Sequence, residues 1–137
     1  MDKTKIVETL VNQFILKDRR ERSRFELTNP KKRGKFIDRL NHDWDSVFDQ
    51  RKFKKLNNSL IDPTDLKSVI QIQFNTNCYI ISNNDAVDDK IMTFQKAISK
   101  AFGYGLGSAL FDFENRHVYI ETEQHVGPPE RFISIKP

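Results

Sequence analysis

Apolar positions in the first third of the chain recur at helical spacing. Ile6, Val7, Leu10, Val11, Phe14 and Ile15 make one such stripe, which predicts a helix from about Lys3 through the stretch Asp18–Arg24. Thr28-Asn29-Pro30 then reads as a cap with proline at the first helical position, opening a second helix to about His42. At about 100° per residue, Phe36, Ile37, Leu40 and Trp44 share one arc of that helix, and Lys31, Lys32, Lys35 and Arg39 share the far side. Arg33 breaks the pattern, because it lands within the apolar arc. Val47, Phe48, Phe53 and Leu56 predict a third, shorter helix. Asp62-Pro63 starts another, reaching Phe74, although Ile70, Ile72 and Phe74 alternate with Gln71 and Gln73 as a strand would.

Cys78–Ser82 is rich in β-formers and ends in the turn signal Asn83-Asn84. Val87, Ile91, Phe94, Ile98, Ala101 and Phe102 predict a helix closed by Gly103. The period then switches to two. With Asn115-Arg116 as a two-residue loop, Phe113 faces Val118 and Phe111 faces Ile120, so these four point into the core while Asp112, Tyr119 and Glu121 point away. A last strand follows over residues 131–136. The pattern predicts a single α+β domain over residues 1–137, with the N-terminal helices of 1–60 packed on one face of a small antiparallel sheet built by 61–137. This order, with a basic helical first third, the strand Cys78-Tyr-Ile-Ile-Ser82, a glycine-spaced link and a closing Arg131-Phe-Ile strand, resembles that of short uncharacterised bacterial proteins. The resemblance implies no activity and carries over no functional residue.

Charge changes the picture most. Residues 1–60 hold 16 of the 23 Lys and Arg against 9 of the 19 Asp and Glu, a net of +7, which leaves 7 against 10, or −3, for the rest. Apart from Lys3 and Lys5, these cations come in three blocks, Lys17–Arg24, Lys31–Arg39 and Arg51–Lys55. Such asymmetry predicts an anionic partner. Because Asp18, Glu21, Glu26 and Asp38 are interleaved with the cations, and no base-reading motif accompanies them, an acidic protein is favoured over nucleic acid. The longest unbroken apolar run is Cys78–Ile81, far short of a membrane span, and the N-terminus has no apolar signal-peptide core. A lone cysteine cannot form an internal disulfide, so the expectation is a cytoplasmic protein without a cofactor.

Three other features invite chemistry. His117, Tyr119, Glu121, Glu123 and His125 are spaced by two, so an extended strand would project them to one side with Asp112 opposite Tyr119. Such a face could serve a hydrolase or a metal-dependent enzyme. Yet its two histidines stand eight residues apart, roughly 26 Å along a strand, too far to share one ion. Gly103-Tyr-Gly-Leu-Gly107 follows a helix C-terminus rather than preceding an N-terminus, which favours turn and cap duty over phosphate binding. His42-Asp43-Trp44-Asp45 lacks a nucleophile, and reads as a helix-terminal histidine beside a core tryptophan. The function expected is therefore a small non-catalytic binding module, of the immunity or regulatory-adaptor type by size alone, that docks on an acidic protein through Lys31, Lys32, Lys35 and Arg39.

Overall fold

The first apolar stripe does form a helix, and a tertiary contact ends it early. In a computed structural model, which describes residues 2–57, 62–124 and 127–135, α1 spans Lys3–Phe14 and α2 spans Arg20–Thr28. Asp2 caps α1 by accepting from the Lys5 amide at 3.0 Å. Ile15 turns extended and bridges to Phe48, and Leu16 N–H donates to the Val47 carbonyl at 2.8 Å. Pairing with a distant segment thus replaces the continuation that periodicity predicted. The third helix, α3, runs Arg33–His42, preceded by a turn at Pro30–Lys32.

The apolar run Val47–Leu56 is not helical. It forms short 3-10 turns and then β1, Phe53–Lys55, although its bulky side chains are buried as expected. Asp62-Pro63 starts a 3-10 helix, Pro63–Ser68, with Asp62 and Asp65 in a reciprocal capping box, and an irregular stretch then buries Ile70 and Ile72. In the run Val87–Phe102 only the second half is helical. Turn residues lead into β3, Ile91–Thr93, and Thr93 caps α4, Phe94–Ala101, whose buried Phe94, Ala97, Ile98 and Ala101 keep the helical spacing. Gly103 follows at φ 70°, the left-handed conformation that a helix C-terminus favours.

The remaining strands are β2 (Asn77–Ser82), β4 (Ser108–Asp112), β5 (His117–Glu121) and β6 (Arg131–Ser134). All pair antiparallel in the order β1-β6-β5-β4-β2-β3, which makes an α+β fold on an open six-stranded sheet. In the β4–β5 hairpin Phe111 faces Val118 and Ala109 faces Ile120, so the observed register differs from the two-residue-loop expectation by two positions. The turn is longer because Asp112 caps it, its two carboxylate oxygens accepting from the Asn115 amide and side chain, both at 3.1 Å. An even shift leaves every side chain on its expected face. Hence Phe111, Val118 and Ile120 are buried against α1–α3, and Asp112 lies opposite His117 rather than Tyr119.

The other face, expected to point away from the core, is covered as well. It carries α4 and the 65–72 stretch, so that Cys78, Ile80, Leu110, Tyr119 and Ile133 form a second core with Leu66, Phe94 and Ile98. Asp112, Tyr119 and Glu121 are fully buried. An alternating pattern cannot distinguish a wet face from a covered one, because it reports which side chains share a face and not what packs against it. Gly107 ties β4 to α3, because a Cβ there would lie 2.6 Å from Asn41 Oδ1 and 3.3 Å from the Asn41 main chain. Its amide donates to that same oxygen at 2.6 Å.

Candidate functional site

Asn29 builds the corner between α2 and α3. Its side chain accepts from the Lys31 amide at 3.1 Å and its carbonyl from the Lys32 amide at 2.8 Å, so the cap predicted at Thr28-Asn29-Pro30 acts one turn before the helix proper. This places Lys31 and Lys35 in solvent and leaves Lys32 half-buried at the start of α3. Arg39 differs from them. It is paired with Glu26, a fully buried carboxylate that also accepts from Arg22 Nε at 3.1 Å, and so clamps α3 to α2. Arg24 likewise chelates Glu8 on α1, both contacts at 2.9 Å. The basic half is therefore sorted by the fold, with Arg24 and Arg39 used to join helices, Arg22 paired within α2, and the three lysines presented at one corner.

Arg33, the residue out of pattern, is the centre of a buried polar network. Its guanidinium forks onto Asp88 at 2.9 and 2.6 Å, and donates to the Leu27 carbonyl at 3.0 Å and to the Tyr79 hydroxyl at 2.7 Å. Tyr79 in turn donates to Asp89 at 2.7 Å, and Asp88 also accepts from the Ser82 amide at 2.9 Å. Burial pulls the Arg33 pKa down, but the bond to Asp88 and the charges of Tyr79, Asp88 and Asp89 outweigh it, so the guanidinium is held more firmly charged than usual. Burial raises Tyr79 well above the phenol range, with Asp89 adding to it, so its hydroxyl keeps its proton. The network pins α3 to the β2–β3 turn, where Asp89 takes φ 62°. The only sequence signal for it was a cation on an apolar arc.

The proposed strand face is a second interior network. Glu121 Oε1 accepts from Arg131 Nε at 2.9 Å and from the Tyr119 hydroxyl at 3.1 Å, and Oε2 accepts from the Gly103 amide at 2.9 Å. Arg131 lies 4.0 Å from the Phe102 ring centroid. Burial drives the Glu121 pKa upward against the opposing pull of Arg131 and these donors. Tyr119 is raised too, by burial and by Glu121. His117 is buried beside Asp112, Glu123 lies 2.8 Å from His42 at the end of α3, and His125 falls outside the described residues. Among the described residues, no three of His, Cys, Asp and Glu gather as a metal-ligand set. The Cys78 thiol is buried, and burial with the nearby Asp112 charge raises its pKa, which keeps it an unreactive thiol.

Glu121 gives a pH signature. Its folded pKa is raised above the unfolded value, so the folded state binds more protons, and stability should fall as pH climbs from the ordinary carboxylate range through the raised value. Asp49 and Asp62 have lowered values and act in the opposite sense, so the comparison needed is wild type against Glu121→Gln. Chemical denaturation across that window should show the falling component in wild type alone. An unchanged difference across the window would refute the assignment.

No protein-family model, curated sequence or solved structure matches this chain.

Proposed function

We propose that this protein is a small cytoplasmic binding module, without catalysis of its own, that docks on an acidic protein through the corner formed by Lys31, Lys32 and Lys35. The observation that supports this reading is the sorting of the cations. The arginines around the corner are held by carboxylates of the same fold, whereas Lys31 in the turn and Lys35 on the first turn of α3 stand exposed. Rigid, exposed charge steers association and sets orientation at little entropic cost. Arg39 supports the corner by holding Glu26, and is left out of the contact set. The enzyme alternative rested on an open strand face carrying His117, Tyr119 and Glu121, and these side chains are interior.

A photo-crosslinking residue in place of Lys35, introduced in cells that make the protein, should capture an acidic protein. Lys31→Glu with Lys32→Glu should abolish that capture while changing stability by about 0.5 kcal/mol or less per site. Crosslinks that disappear with nuclease, together with a log-log salt slope near −0.9 per phosphate, would identify nucleic acid instead. Capture that survives the double reversal would refute the docking corner.

A further inference from the structure

The third basic block, Arg51–Lys55, lies apart from the α2–α3 corner and surrounds β1, an edge strand of the sheet. Lys52 accepts from the Ile135 amide at 2.7 Å and Leu56 donates to the Arg131 carbonyl at 2.8 Å, with Lys54 opposite Ile133 between them. Hydrogen-bonded and non-bonded pairs alternate along an antiparallel ladder. The Phe53 carbonyl and both main-chain groups of Lys55 therefore point away from β6, toward the side where the described residues place no strand, while the Phe53 amide donates to the Gln50 carbonyl. Lys54 shares its face with Ile133 and Ile135, and together with Val69 and Ile70 they line a cavity of about 350 Å³ beside the edge. Val69 and Ile135 are among the most exposed large apolar side chains of the protein.

We propose that this edge receives an extended acidic peptide segment of another protein, which adds to the sheet as a strand beyond β1. Main-chain bonds at the Phe53 carbonyl and at the Lys55 amide and carbonyl would hold it, and the peptide residue opposite Lys54 would place an apolar side chain in the cavity. The charge of the edge selects the occupant. Arg51 pairs with Asp49 and Lys55 with Glu130, but Lys52 bonds a main-chain carbonyl, that of Gln13, and Lys54 has no carboxylate partner among the described residues. A second copy of this chain would bring the same cations against themselves, which is how edge lysines prevent self-pairing. An acidic strand meets attraction at those positions. This site stands apart from the lysine corner and does not depend on it.

The probe is a short fluorescein-labelled peptide of alternating Glu and Val, read by anisotropy and by amide hydrogen exchange. Saturable binding below about 1 mM is expected, with exchange slowed at the Lys55 amide. Lys55→Pro removes the outward amide without touching the ladder to β6, since proline is tolerated where an edge N–H faces outward. It should weaken binding about fivefold to tenfold, the weight of one hydrogen bond, whereas Lys55→Gln should weaken it less. Should Lys55→Pro fail to fold, a peptide N-methylated on the edge-facing residues replaces it, and must not bind. No saturation, undiminished binding by Lys55→Pro or by the N-methylated peptide, or equal losses in Lys55→Pro and Lys55→Gln, would overturn strand addition. Lys31→Glu with Lys35→Glu should leave peptide affinity unchanged; loss there would move the peptide to the corner and overturn this site while sparing the other.

Discussion

Arg33→Met should destabilise the protein by about 3–5 kcal/mol, the cost of removing one partner from a buried ion pair. The Arg33 side chain is 7% exposed and that of Asp88 15%, so neither has water to fall back on. Loss of the guanidinium strips Asp88 of its bidentate donor and also leaves the Leu27 carbonyl without the donor that reaches it from Arg33. Methionine fills similar volume but donates nothing. Adding Asp88→Asn to Arg33→Met should cost less than the two single changes summed, because the stranded charge is then gone. Arg33→Lys should recover only part of the loss, since an ammonium cannot reproduce the planar fork. Denaturant unfolding followed by Trp44 fluorescence measures all of these. A loss below about 1 kcal/mol for Arg33→Met would mean that the network is an incidental feature of the interior rather than the joint between α3 and the β2–β3 turn.

Phe111→Ala is expected to cost about 3–5 kcal/mol, and Phe113→Ala distinctly less. The two phenylalanines share a face and differ in what surrounds them. Phe111 is fully buried at the centre of the sheet, with its ring 6.1 Å from that of Phe14 and its main chain paired to Tyr79 and Val118. Phe113 lies in the hairpin turn, half-buried at the margin of the same core. With a two-residue loop the two would be equivalent core positions. Equal losses for the two variants would therefore favour that tighter register over the longer Asp112-capped turn.

Local signals served well where neighbouring residues settle the outcome. Asp62-Pro63, Gly103 and the period-two run after Ser108 each name a cap, a helix end or a strand, because the interactions involved span only a few residues. Side-chain parity on the hairpin was legible even though its register was not, since parity depends only on alternation. Element boundaries failed where distant segments competed. The first helix breaks at Ile15 because Phe48 pairs with it, and the Val47–Leu56 run buries its apolar groups as turn and strand because β6 offers Phe53–Lys55 a partner.

The candidate site divides in the same way. Spacing sufficed to mark Arg33 as anomalous, which follows from the 3.6-residue period, whereas Lys31 and Lys32, expected on the far side of the same helix, lie in the turn that precedes α3. Which cations remain available to a partner depended on the positions of Glu8, Glu26 and Asp88, residues contributed by other elements. Likewise the polar strand face looked like a solvated or catalytic surface until α4 and the 65–72 stretch covered it, turning Glu121, Tyr119 and Arg131 into an internal bond set. Periodicity along a chain reports which side chains share a face. What that face meets is decided by contacts between residues far apart in sequence, which only the folded chain brings together.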